Sequence, residues 1–141
     1  MFSIIRKIWI FRHWIHLVAI SDEEGIVDAF YLIRKRLVQE TYACVTFIYL
    51  VSDKSREILF KREFSILRIR YPGYFFIHFI RIDPDTFLFK HEIIEAVINS
   101  NTSPKLKFMI FGHSAFVTYM SDILFFLTGK LSENDIQQFK K

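Results

Sequence analysis

The stretch Tyr42–Val51, which reads YACVTFIYLV, decides the fold of this chain. It is rich in β-branched and aromatic residues and is nearly apolar at both odd and even positions. A strand of this kind must be covered on both faces, which is typical of a parallel sheet that lies between helices. The stretch therefore predicts an α/β domain.

Compact apolar runs on either side of this strand predict the rest of the sheet. They are Ile15–Ile20, Tyr74–Ile82, Leu106–Phe111 and a short last strand at Ile136–Phe139. Helical spacing and capping residues predict helices between them, over 26–37, 56–68, 89–98 and 116–127. Strands that alternate with helices predict a three-layer domain with a mostly parallel sheet of about five strands.

The composition fits one globular domain and excludes several classes of protein. The chain has 141 residues, of which 52% are hydrophobic and 24% charged, so it is neither disordered nor of low complexity. We assign residues 15–141 to a single α/β domain.

Single residue types narrow the function further. The single cysteine, Cys44, excludes an internal disulfide and lies in a predicted strand, where it should be a buried, inert thiol. The net charge of +4 is too mild to indicate nucleic acid as a partner. The 17 phenylalanines predict either an aromatic core or an apolar surface that faces a partner or a membrane.

Residues 1–14 form a basic, aromatic N-terminal segment that precedes the domain. Residues 1–20 contain Arg6, Lys7 and Arg12, both tryptophans and no acidic residue. Three interpretations fit this pattern: a mitochondrial targeting segment, a helix on a membrane surface, or a first strand with basic ends. We expect an intracellular protein, and the first two interpretations imply a mitochondrial or membrane-associated setting with membrane contact through residues 1–20.

In this fold class, ligands bind outside the carboxyl ends of the strands, so the turns there are the candidate sites. The first turn, Ser21–Gly25, has one glycine and three acids, Asp22, Glu23 and Glu24. These carboxylates would repel a diphosphate. Placed at the start of a helix, they would complement its dipole and play a structural role, which is the interpretation that we favour.

Other chemical patterns are weak. His13 and His16 could share a helix face and bind a metal, but no acid or thiol is near them, so packed neutral histidines are favoured. His113-Ser114 lacks the glycine that a nucleophile turn needs, because Phe116 follows Ala115. We therefore predict no catalytic residue and no metal site.

Two further features have structural interpretations. His78 lies inside a predicted central strand and should be a hydrogen-bonded core or interface histidine. The densest basic patch, Lys61, Arg62, Arg68 and Arg70, could contact RNA or acidic lipid, although a solvated helix face is the plainer interpretation and nucleic acid is not expected as a partner.

Several segments in the same order resemble one protein family. These are YLVSDKSREILFKREFSIL at 49–67, RYPGYFFIHFI at 70–80, the Gly112 turn at 112–117 and LTGKLSENDIQQF at 127–139. Together they resemble the nicotinamide-binding domain of ferredoxin reductase-like flavoenzymes, the group that includes cytochrome b5 reductases and NADPH oxidases. The resemblance implies a Rossmann-like fold that binds NAD(P)H and contacts FAD. It also implies that five residues remain from the nucleotide and flavin contacts: Gly25, Ser52, Lys54, Gly112 and Phe139.

A phosphoreceiver domain is a second α/β resemblance, ranked below the first. The acidic turn Ser21–Glu24 is similar to the acidic pocket of that family. However, His78 stands where the phosphorylated aspartate would lie, and no Lys-Pro pair follows the last strand.

The chain also departs from the reductase pattern at the positions that matter for chemistry. Phe111 stands in place of the family's cysteine near the nicotinamide ring, and Asp22 and Glu23 stand in place of two glycines in the first turn. We therefore expect a catalytically degenerate module with no cofactor, acting as an accessory or structural subunit beside other protein subunits. The alternative is the NAD(P)H-binding half of a split flavoreductase, which transfers hydride to a flavin held by a partner.

Overall fold

The computed structural model describes residues 16–40, 43–83, 85, 106–128 and 136–141. Five strands lie in these ranges: β1 (His16–Ser21), β2 (Cys44–Ser52), β3 (Phe75–Ile82), β4 (Leu106–Gly112) and β5 (Ile136–Lys140). Three helices lie there too: α1 (Ile26–Gln39), α2 (Lys61–Arg70) and α3 (Ser114–Thr128). The strands form one sheet in the order β3-β2-β1-β4-β5, and every neighbouring pair is parallel. The predicted α/β fold is confirmed.

Helices cover both faces of the sheet, which explains why β2 is apolar along its whole length. On one face, Phe47 and Tyr49 of β2 pack with Phe64 of α2 and with residues of α1. On the other face, Ile48 and Leu50 belong to a second core, which α3 closes with side chains such as Phe116. Each residue of β2 from Cys44 to Val51 is buried. Alternate side chains of β2 thus pack into two separate cores, one on each face of the sheet.

Helix α2 begins five residues later than the sequence predicts. The prediction placed the start of this helix at Arg56, whereas the helix starts at Lys61. The Ser55 hydroxyl donates to Glu23 Oε1 at 2.7 Å, so the turn after β2 is tied to the turn after β1, and the helix begins after Phe60 with no side-chain cap. Arg81 Nη1 donates to the carbonyls of Ser52 and Ser55, at 2.9 and 2.7 Å, and fixes the turn further.

The prediction that His78 lies in the core of a central strand is wrong. Among the described residues, β3 lies at the edge of the sheet, and His78 is exposed, so the interface position stays a prediction. The apolar run FFIHFIRI resembles a central strand because Phe75 is buried on one face of the sheet and Ile80 and Ile82 are buried on the other. Cys44, in contrast, is buried as predicted.

Some predictions fall outside the described residues. These are the basic N-terminal segment, His13 and the helix over 89–98. Within the described ranges, no helix is both long and apolar enough to cross a membrane.

His16 gives the fold a dependence on pH. Its Nε2 lies 2.7 Å from Thr46 Oγ1 in the buried contact between β1 and β2. Burial, and secondarily the charge of Arg36, lower the pKa of His16 below its usual value of 6.5. The unfolded chain therefore binds a proton at His16 more readily than the native state does, and the free energy of unfolding falls as the pH drops below 6.5.

We expect the free energy of unfolding of a His16→Gln variant to change less than that of the parent between about pH 7.5 and 5.5 in urea titrations. Equal slopes for the two proteins would contradict this assignment.

Candidate functional site

The candidate site lies at the carboxyl ends of β1 and β4, the two central strands between which the chain reverses its direction across the sheet. From β1 the chain continues through α1 to β2, whereas from β4 it continues through α3 to β5, on the other side. Such a switch point leaves a crevice between the turns that follow the two strands. Here those turns contain the acidic segment at 22–24 and the residues that follow Phe111.

The side chain of Asp22 joins these two turns. Its Oδ1 accepts the N–H of Gly25 at 2.9 Å, at the start of α1, and its Oδ2 accepts the N–H of His113 at 3.0 Å, at the start of α3. The N–H of Asp22 itself donates to the carbonyl of Phe111 at 3.3 Å. One carboxylate thus occupies backbone donors from both helix starts, which are the groups that an anionic ligand at a switch point would use.

Both glycines of the site are fixed by close contacts. A Cβ on Gly25 would lie 2.6 Å from the amide nitrogen of Gly112. Gly112 has a φ of +145°, and a Cβ there would meet the carboxylate of Asp22. The two turns therefore touch at Gly25 and Gly112, and the side chain of Asp22 fills the space beside them.

Glu23 makes a second link of the same kind to the end of β2. Its Oε1 accepts the backbone N–H of Ser52 and the hydroxyl of Ser55, both at 2.7 Å. The N–H of Lys54 donates to Ser52 Oγ at 3.2 Å. The Ser52 N–H and the Ser55 hydroxyl are thus both bonded to a carboxylate of this chain.

Burial shapes the electrostatics of the site. It raises the pKa of the Asp22 carboxyl above its usual value, although the N–H groups of His113 and Gly25 offset part of the effect. Burial, together with the nearby carboxylates of Glu23 and Asp22, raises the pKa of Tyr49 to about 12. The side chains at the end of β1 are therefore acidic, and their negative charge would repel an incoming anion.

Tyr49 provides a test of the interior beside the site. Its side chain is fully buried, and its hydroxyl has no hydrogen-bond partner within the described part of the chain. A buried hydroxyl without a partner is unfavourable, so we expect Tyr49→Phe to leave stability unchanged or to raise it by up to about 1 kcal/mol in urea denaturation. A loss of more than about 1 kcal/mol would show instead that the hydroxyl is satisfied.

Phe139 lies on the other side of the β4 turn, where its ring stacks on Phe111. The ring centroids are 4.4 Å apart and the planes differ by 9°. The next strand residues continue this contact, because the N–H of Lys141 donates to the carbonyl of Gly112 at 2.8 Å. Each ring therefore covers one face of the other, and that face is not free for a flavin or nicotinamide ring.

An open cleft of about 390 Å³ adjoins the acidic turn. Its apolar wall comes from Leu50 and Ile82, and its polar rim comes from Ser52, His113 and the three acids Asp22, Glu23 and Glu24. The helix begins at Ile26, so these acids precede its first turn, and Asp22 and Glu23 accept hydrogen bonds that link the turns. The sequence predicted a structural role for them but not these partners.

The predicted site residues separate into three places. Gly25 and Gly112 meet at the switch point, Ser52 and Lys54 lie in the turn after β2, and Phe139 lies behind the β4 turn.

His113 and Ser114 do not form a nucleophile pair. His113 Nδ1 accepts the N–H of Ala115 at 3.2 Å, and the Ser114 hydroxyl points to the carbonyl of Lys141 at 3.5 Å. Within the described ranges, no group of three or more His, Cys, Asp and Glu side chains could hold a metal ion.

Comparison with solved structures assigns the fold. The CS-b5R domains of human Ncb5or, in the NAD+ form, match 92% of this chain with a TM-score of 0.73 and 14% identity. An H286L mutant of ferredoxin-NADP+ reductase from Plasmodium falciparum matches 94% with a TM-score of 0.68 and 17% identity. The Amycolatopsis cytochrome P450 reductase GcoB matches 88% with a TM-score of 0.65 and 16% identity. The chain has the fold of a ferredoxin reductase-like NAD(P)-binding domain.

The resemblance seen in the sequence is thus confirmed at the level of fold. The matched region spans 38%, 54% and 37% of these three structures, so the chain corresponds to one part of each. No protein-family model matches the chain, and no curated protein matches it in sequence.

Proposed function

We propose that the chain is a catalytically degenerate ferredoxin reductase-like module that serves as a non-enzymatic accessory or structural subunit of a larger complex. The observation that carries this proposal is the position of the Asp22 carboxylate between the N–H groups of Gly25 and His113. A dinucleotide diphosphate does not fit between these turns as they stand, because its oxygens would have to displace a carboxylate from the same donors.

Two more features support the loss of nucleotide and flavin chemistry. Glu23 accepts hydrogen bonds from the Ser52 N–H and the Ser55 hydroxyl, so these two donors in the turn after β2 are bonded to a carboxylate of this chain. The stacked pair Phe111 and Phe139 occupies the position where the family resemblance implies a cysteine and a flavin contact. We propose that other protein subunits are the partners, and that the setting is mitochondrial or membrane-associated as residues 1–20 indicate.

The test is the thermal stability of the purified chain with added dinucleotide. A ligand that binds the native state raises the melting temperature, by an amount that grows with the logarithm of the ratio of its concentration to its Kd. We expect no shift of the melting temperature with NADH or NADPH at about 1 mM, which is the concentration at which even a millimolar site would begin to fill.

The alternative function is the NAD(P)H-binding half of a split flavoreductase. The open cleft of about 390 Å³ at the strand ends favours it, together with the retention of Gly25 and Gly112. In that case NADH or NADPH would raise the melting temperature of the chain. Such a rise would replace the proposed function with the alternative.

A further inference from the structure

We propose that the free edge of β3 binds an extended, acidic segment of a partner protein by strand addition. This inference goes beyond the proposed function, since it concerns a different surface and holds whether or not a nucleotide binds. Among the described residues, β3 pairs with β2 on one side and with no strand on the other. An open edge of this kind presents unpaired N–H and C=O groups to another chain.

The hydrogen bonds show which backbone groups face outward. The carbonyl of Tyr74 accepts from Val45 and that of Ile82 accepts from Asp53, so even-numbered residues of β3 face β2. In a parallel strand the N–H and C=O of one residue point to the same side, so the odd-numbered residues face away. The free edge thus presents the backbone groups of Phe75, Ile77, Phe79 and Arg81.

The side chains beside this edge are unusually apolar for a surface. Tyr74, Phe76 and Phe79 are 40%, 44% and 41% exposed. Phe76 and Phe79 lie on opposite faces of the strand because one is even-numbered and the other odd-numbered. An added strand with apolar residues at alternating positions presents them all on one face, so it would cover the aromatic rings on that face of the sheet.

The charge of the same region selects an acidic partner. Residues 53–82 contain seven arginines and lysines and three acids, so they account for the whole net charge of +4. Arg68 and Arg70 end α2 just before β3 begins, and Arg81 lies near the end of β3. Arg68 and Arg70 are exposed, so basic side chains stand in the segment that leads into β3, whereas the Arg81 guanidinium is directed to the carbonyls of Ser52 and Ser55 at the end of β2. An acidic strand is attracted to this edge, whereas a second copy of this chain would bring the same basic groups together.

The test uses synthetic peptides as long as β3, which has eight residues. One peptide alternates glutamate with valine and the other alternates lysine with valine. Fluorescence anisotropy at low salt should show that the acidic peptide binds at least about tenfold more tightly than the basic one. Failure of the acidic peptide to bind, or equal binding of the two, would overturn the proposal.

A pair of variants at Phe79 tests the strand addition itself. Phe79→Pro removes an outward N–H and leaves the ladder to β2 intact, whereas Phe79→Val keeps the N–H and loses the same ring. We expect Phe79→Pro to weaken the acidic peptide at least about tenfold and Phe79→Val less than about threefold. Equal effects of the two variants would rule out strand addition.

Charge reversal keeps the test decisive if Phe79→Pro does not fold. A variant with Arg68→Glu and Arg70→Glu brings residues 53–82 to five basic and five acidic residues, so it should lose the preference for the glutamate peptide. An unchanged preference would overturn the proposal.

Two other occupants are checked on the same samples. Dimerisation of the parent that Phe79→Pro abolishes would assign the edge to a second copy. Binding of polyuridylate that competes with the acidic peptide and survives Phe79→Pro would assign the surface to RNA. Either result would overturn the proposal.

Discussion

Gly25→Ala is expected to lower the free energy of unfolding by at least about 3 kcal/mol. The new Cβ would lie 2.6 Å from the amide nitrogen of Gly112 and 2.7 Å from the Cβ of Phe111. These atoms belong to the end of β4, which is paired with strands on both sides, so they cannot move apart without disturbing the sheet. Urea denaturation of the parent and the variant measures the loss directly.

Gly73→Ala is the matched control for this substitution. Gly73 has a φ of +81°, and no atom lies within 4 Å of the position that its Cβ would take. Alanine there meets backbone strain alone and should lower stability by only about 1 kcal/mol. If Gly25→Ala were no more harmful than Gly73→Ala, the two turns of the candidate site would not be in contact.

The second large effect is a gain of function. A variant with Asp22→Gly and Glu23→Gly should bind NADPH at least about tenfold more tightly than the parent, because two negative charges leave and their backbone donors become free. The donors released are the N–H groups of Gly25, His113 and Ser52. Isothermal titration calorimetry of the parent, both single variants and the double variant measures the change.

The single variants separate the two contributions. Asp22→Gly opens the switch point, whereas Glu23→Gly opens the turn after β2, so each should recover part of the gain. The Asp22→Gly variant also loses hydrogen bonds to a charged group and should be less stable by about 2 kcal/mol. If the double variant folds but does not bind NADPH more tightly than the parent, then Asp22 and Glu23 are not the residues that exclude the nucleotide.

The sheet could be predicted from the sequence because its signals are local. The stretch at 42–51 is apolar at odd and even positions apart from Thr46, and this pattern requires only a strand that is covered on both faces. Helix α1 was equally clear, since Ile26, Phe30, Ile33 and Leu37 recur at helical spacing and all four are buried. Where residues within one turn or one strand decide the structure, the prediction holds.

The errors arise from contacts between distant parts of the chain. The start of α2 was misplaced because the turn after β2 is held by Glu23, 32 residues from Ser55, and by Arg81. His78 was misplaced because an edge strand that is partly covered on both faces has nearly the same apolar pattern as a central strand. The link between Asp22 and His113 spans 91 residues, so only the folded chain shows that this acid accepts hydrogen bonds from both turns.

The most direct measurement is a calorimetric titration of the unaltered chain with NADPH, carried to millimolar concentration. With the Asp22 carboxylate held by Gly25 and His113, we expect no heat beyond that of dilution. A saturable heat with one NADPH per chain would mean that the diphosphate displaces this carboxylate, and the chain would then be a nucleotide-binding reductase half.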